Sequence, residues 1–156
     1  MLSNLITDRT AADVIRWQTL RDKGLAKMTD AERAEWLGGM KGAYNVTDLN
    51  RVGTALNYVR DRILVAGYSV SFSAKTDWTA SDVPTLAQFQ YYIDCVRQVR
   101  GAVSRFHNTP PVPAYSGALD YLEANNIEKI LIDIDTILNN LAAALFYAND
   151  LYSGEV

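Results

Sequence analysis

The run Asn125-Asn126-Ile127-Glu128-Lys129-Ile130-Leu131-Ile132-Asp133-Ile134-Asp135-Thr136-Ile137-Leu138-Asn139-Asn140-Leu141-Ala142-Ala143-Ala144-Leu145 decides the fold class. Ile127, Ile130 or Leu131, Ile134, Ile137 or Leu138, Leu141, and Ala144 or Leu145 return with a heptad rhythm, so they share one face of a long helix. Asn125 and Glu128 have the spacing of an Asx-type capping box, which places the helix start at Asn125. A shorter helical turn is expected just before it, around residues 118–123. Ile127–Tyr147 is the most apolar stretch of the chain, but it holds Glu128, Lys129, Asp133, Asp135, Asn139 and Asn140. A bilayer-crossing helix wants about 20 mostly apolar residues with few charges, so the stretch reads as a core helix with no membrane span.

Working outward, four more helices follow from caps and periodicity. Thr10 with Asp13 opens one at Ala11 that runs to Lys23 and stops at Gly24, with Val14, Ile15 and Trp17 as its apolar face. Thr29 with Glu32 opens a short one, anchored by Trp36 and Leu37 and ended by Gly38-Gly39. Thr47 or Asp48 caps a third, whose stripe is Leu49, Val52, Leu56, Val59 and Ile63 and whose stop is Gly67. Thr85 with Gln88 opens a fourth after Pro84, with Leu86, Phe89, Ile93, Val96, Val99 and Val103 along it. Between the third and fourth, Val70, Phe72 and Ala74 alternate with Ser69, Ser71, Ser73 and Lys75, the period of an extended or β arm over residues 69–75. His107-Asn108-Thr109-Pro110-Pro111-Val112-Pro113 excludes helix and favours a stiff extended loop. The expected fold is mainly α: an antiparallel bundle of four to five helices with one short extended arm, in a single domain over residues 1–156. Residues 1–8 and 149–156 are expected as flexible tails.

Composition fits this reading. The chain has 156 residues, 49% of them apolar and 21% charged, with a net charge of −3. That length holds one domain with a sizeable core. The acidic balance argues against a nucleic-acid partner, because such surfaces are basic over a whole face. No basic region followed by a long apolar run opens the sequence, so no secretory signal is expected and synthesis in a bacterial cytoplasm is.

The inventory for catalysis is thin. His107 is the one histidine and Cys95 the one cysteine. The first lies in a proline-rich loop and the second beside a helical apolar stripe, and nothing in their spacing brings them together as a nucleophile and base. Asp133 and Asp135, two apart on a helix, face different sides, and no Glu-x-x-His pair is present, so neither a metal site nor a cofactor is expected. Gly38-Gly39-Met40-Lys41-Gly42 lacks the Gly-Lys-Ser/Thr ending of a phosphate loop. It reads instead as a turn: Gly38, Gly39 and Gly42 let the chain reverse, Tyr44 staples onto the next helix, and Thr47 and Asp48 cap it. Arg51, Arg60 and Arg62, and likewise Arg97, Arg100 and Arg105, read as solvated helix faces, with a phosphate groove between the third and fourth helices as the minority alternative. Aromatic residues in loops are the better binding candidates: Tyr68, Phe72, Trp78 and Tyr115.

One resemblance adds a setting. Trp36-Leu37-Gly38-Gly39-Met40-Lys41-Gly42-Ala43-Tyr44-Asn45-Val46-Thr47-Asp48-Leu49-Asn50-Arg51-Val52 resembles a recurrent module of phages and prophages of Gram-positive, often gut-dwelling, bacteria. Leu5–Thr10 with Asp13-Val14, Asp77-Trp78-Thr79 with Asp82–Thr85, and Asn125–Leu131 are similar to the same module, so the resemblance spans nearly the full chain. It implies a non-enzymatic virion or tail-associated structural or adhesion protein, whose partners are other tail proteins, a second copy of itself, or a cell-surface glycan. It implies no ligand residues. A phage-encoded regulator that binds a host factor is the alternative. The stripe of the fifth helix, the lone segment 69–75, and Leu151 with Tyr152 each offer a face to a second copy. That stripe serves equally well as the central helix of a monomer.

Overall fold

The computed structural model describes residues 2–114 and 119–152, with side chains to Ala148. It is mainly α: α1 (Ala11–Lys23), α2 (Asp30–Leu37), α3 (Val46–Val65), α4 (Leu86–Ala102) and α5 (Tyr121–Tyr152), with one 3-10 turn at Leu25–Lys27. Three of the starts are the capping boxes expected, with the side chains of Thr10, Thr29 and Thr85 accepting from the amides of Asp13, Glu32 and Gln88. Two starts differ. Asn45 caps α3, accepting from the amides of Thr47 and Asp48, while Asp48 returns a bond to the Asn45 amide. Thr47 and Asp48 therefore lie inside the first turn. Asp120 caps α5, since its carboxylate accepts from the Glu123 amide at 2.7 Å and Glu123 answers at 3.0 Å. This earlier box merges the expected short turn with the long helix and leaves Asn125 within the helix.

α3, α4 and α5 pack on one another around a core that contains Leu56, Val59, Ile63, Ile93, Val96, Val99, Ile127, Ile130, Leu131 and Ile134. The neighbours are not all antiparallel. Arg51 of α3 pairs with Glu128 of α5, and further along both helices Arg62 reaches Asp135 and Asn139, so the two run the same way. α4 joins them in parallel. The connections explain it: residues 66–85 and 103–120 are long extended returns. At about 3.3 Å per residue either one exceeds the length of α3, about 30 Å. Short loops force antiparallel neighbours; these do not. Only the hairpin of α1 and α2 is antiparallel, tied by Arg16 to Glu35 and Lys23 to Glu32.

The first return is the extended arm. Phe72 and Ala74 point inward while Ser71, Ser73 and Lys75 face out, as the alternation requires. No strand pairs with it among the described residues. Helix side chains satisfy its backbone instead. Asn57 donates to the Ala74 carbonyl and accepts from the Ala74 amide, both at 2.9 Å. Two turns earlier, Asn50 does the same to Trp78, both at 2.8 Å. Between them Gly53 lets the arm touch the helix, for a Cβ there would lie 2.3 Å from the Lys75 carbonyl oxygen. Gln98 and the Tyr91 hydroxyl accept from the amides of Ser71 and Ser73 on the α4 side.

The hairpin of α1 and α2 holds less core than its sequence suggests. Leu20 is the one buried residue of α1, Ile15 and Leu37 are mostly exposed, and Trp36 is half-buried. The start of the chain, by contrast, is no loose tail. Leu2 and Leu5 pack on the core, and the Ile6 amide donates to Glu128 at 2.6 Å.

Candidate interaction surface and the buried ion network

Charged residues first had to be accounted for. Arg9, Asp48 and Glu128 are buried, and Arg51 closes a square with them. The Arg9 guanidinium donates to Asp48 at 2.9 Å and to Glu128 at 2.7 Å, and Arg51 donates to the same two oxygens at 2.5 and 2.8 Å. Two positive and two negative groups cancel, which is what burial of charge demands. Asn125 adds a backbone clamp, accepting from the Arg9 amide at 3.1 Å and donating to its carbonyl at 2.9 Å. Arg9 Nε alone is buried without a partner. The network joins three distant stretches: the segment before α1, the start of α3 and the first third of α5. Burial opposes charge on Arg51, but the hydrogen bonds and fields of Glu128 and Asp48 outweigh it and raise its pKa.

Beside it, Tyr44 lies under the Arg9 guanidinium and meets Tyr92 hydroxyl to hydroxyl. Burial pushes both phenols up, so both stay protonated at neutral pH and neither can act as a base there. A cleft of about 400 Å³ opens next to them, walled by Trp17, Tyr44, Phe89 and Tyr121. Its ionisable members are engaged elsewhere: Arg9 in the network, Lys41 with Asp8 at 2.7 Å, and Asp120 as the cap of α5. No proton-transfer pair converges on it.

The other sequence candidates fall out as follows. Gly42 is required by close approach, for a Cβ would lie 2.0 Å from the Asp13 carbonyl oxygen. Gly39 has φ 86°, whereas Gly38 has the ordinary helical φ of −73°. Phe72 and Trp78 are buried under Arg60 and Lys75, so they plug the core and do not form a binding face. Tyr115 lies outside the described residues. Tyr68 is exposed. The arginines expected on solvated faces are largely tied down by the chain: Arg60 to the Phe72 carbonyl and Asp61, Arg62 to Asp135, Arg97 to Asp94, and Arg100 to the carbonyls of Thr109 and Pro110. His107 is exposed; Cys95 is buried, and burial pushes its thiol up to about 11. Among the described residues no three His, Cys, Asp or Glu side chains cluster as metal ligands.

What remains unsatisfied is apolar. α5 has 32 residues, about 48 Å at about 1.5 Å per residue, against 20 residues and about 30 Å for α3. Its core stripe is buried as far as Leu138, and the last turns project past the bundle. There Leu145, Phe146 and Tyr147 are exposed by 66%, 68% and 66%. Between this projection and the end of α3 runs an apolar groove of about 690 Å³, lined by Tyr58, Val65, Tyr68, Leu138, Leu141 and Leu145 among others. The heptad rhythm had marked residues 141–145; what it missed is that the bundle ends before them.

Residues Tyr121–Ala148 are long and apolar enough, by length and composition alone, to cross a membrane, a property shared by core helices of soluble bundles. In this fold the same helix buries Glu128 and Asp133 with partners of its own chain. Comparison with protein-family models, with curated proteins and with solved structures gives no match.

Proposed function

We propose that this chain is a non-enzymatic structural or adhesion component of a phage virion or tail, working through protein–protein contacts at the projecting end of α5. The motif resemblance supplies the setting. The observation that carries the mode of action is the exposed apolar end of α5 beside an apolar groove, since an apolar patch of this kind on a folded chain marks a contact surface. The internal pairing of the buried charged groups supports a scaffold and not a reaction centre. The protein would be made in the bacterial cytoplasm, without crossing a membrane, and then be built into particles, with no cofactor or metal. A glycan is the weaker partner, because two of the aromatic residues that would have stacked on sugars, Phe72 and Trp78, are in the core.

The groove also favours a second reading, a phage-encoded regulator that grips one apolar helix of a host factor. Mass spectrometry of purified particles separates the two: the tail reading expects the chain in particles, and the regulator reading expects it only in cells. Either reading expects His107→Ala and Cys95→Ser to leave function intact.

A further inference from the structure

The proposed contact role leaves open what covers the end of α5. We infer that a second copy of this chain does, through a two-fold pairing in which each projecting α5 end lies in the groove of the other. This inference rests on the reading of α5 as a contact surface and adds the identity of the partner.

Three observations carry it. First, residues 141–148, Leu-Ala-Ala-Ala-Leu-Phe-Tyr-Ala, contain no charge and are apolar on every side of the helix. A helix that is apolar all round belongs inside a core or a bilayer. Eight residues span about 12 Å, well short of the about 30 Å of hydrocarbon in a membrane. Second, the surface is self-complementary. At about 100° per residue, Leu138, Leu141, Ala142 and Leu145 face the groove of their own chain, while Ala143, Phe146 and Tyr147 form a ridge on another side. One copy offers a ridge and a socket side by side, which is the requirement for an isologous pair. The alanines at 142, 143, 144 and 148 let two helices approach closely. Third, the area is adequate. At about 200 Å² for a large aromatic, the exposed parts of Tyr68, Phe146 and Tyr147 amount to about 350 Å², approaching half of the about 800 Å² each partner gives to a standard interface. Leu64, Val65, which is 90% exposed, and Leu145 extend it.

Electrostatics do not oppose the pairing. Asp61 and Arg62 border the groove, and each already has an intramolecular partner, Arg60 and Asp135 respectively. They neither repel a second copy nor call for a charged peptide.

The test is size-exclusion chromatography with light scattering at tens of micromolar protein, in low and high salt. One chain is 17.3 kDa. The pairing predicts twice that mass, unchanged by salt because the interface is apolar. Phe146→Asp and Val65→Asp, one on the ridge and one in the socket, should each halve the mass with an unchanged far-ultraviolet circular dichroism spectrum. A wild-type mass of one chain overturns the inference, as does a dimer that both folded variants preserve. Wild-type protein that co-sediments with phosphatidylcholine vesicles as a monomer also overturns it and gives the surface to lipid. The contact role is judged separately: a monomer that still enters particles defeats only the self-pairing, and a dimer absent from particles defeats only the tail reading.

Discussion

Glu128→Gln keeps the shape of a side chain that is fully buried and removes its charge. Glu128 accepts from Arg9, Arg51 and the Ile6 amide. After the change two guanidinium groups share Asp48 alone, and the new amide presents N–H donors to a site already full of donors. Breaking a buried pair so that one charge is uncompensated costs about 3–5 kcal/mol. At a urea m-value of about 2 kcal/mol/M, the unfolding midpoint should fall by about 2 M. The comparison variant is Glu35→Gln, which breaks the Arg16–Glu35 pair, whose side chains are 44% and 41% exposed. Exposed pairs are worth about 1 kcal/mol or less, so its midpoint should fall by about 0.5 M or less. Urea titration followed by circular dichroism measures both. Equal shifts would show that the buried square does not hold the N-terminal segment onto α3 and α5. Hydrogen exchange gives a local check, since the Ile6 and Arg9 amides should lose protection in Glu128→Gln ahead of the core helices.

Asn57→Ala should cost about 2 kcal/mol by removing two bonds to the arm, and the Ala74 amide should exchange faster while α5 stays protected. Gly53→Ala and Gly42→Ala should each destabilise by about 1–3 kcal/mol in thermal unfolding, because the added Cβ meets backbone that must shift as a unit. In acid, the hairpin of α1 and α2 should loosen first. The Lys23 ammonium and the Thr29 backbone N–H hold the Glu32 carboxyl at about 2, below its ordinary 4.5. A depressed carboxylate pKa stabilises the fold above the ordinary value, and that contribution is lost as pH falls from 4.5 toward 2. Carbon-detected titration of Glu32 should show it, and Glu32→Gln should flatten the response of the hairpin over that window. Cys95, buried with its thiol raised to about 11, should react with iodoacetamide at pH 8 only as fast as the protein opens.

Much of the fold is legible in the sequence because helices announce themselves locally. Three capping boxes, the stripe of α3 and the alternation of residues 69–75 all depend on neighbours in the chain. Direction is not local. The returns at 66–85 and 103–120 are long enough to bring α3, α4 and α5 into parallel, and no helix-forming residue records that. Asn50 and Asn57 look like ordinary polar helix positions until the arm is placed against them; their spacing of seven is the one hint that they act together. Asp48, Arg51, Asn125 and Glu128 fall at helix starts, where capping explains each one singly, and only the arrival of Arg9 from outside the bundle turns them into a network. Phe72 and Trp78 mislead for the opposite reason. They occupy a connecting segment, but that segment closes the core, so its aromatics are buried as they would be in a strand.

Photo-crosslinking tests the contact role of α5 most directly. Phe146 is replaced by a photoreactive phenylalanine analogue in cells carrying the gene, and Gln18, exposed on α1, is replaced likewise as the control. A discrete protein adduct from position 146 and none from position 18 is the predicted result, with a mass of twice 17.3 kDa where a second copy is the partner. Equal or absent adducts at the two positions would contradict it.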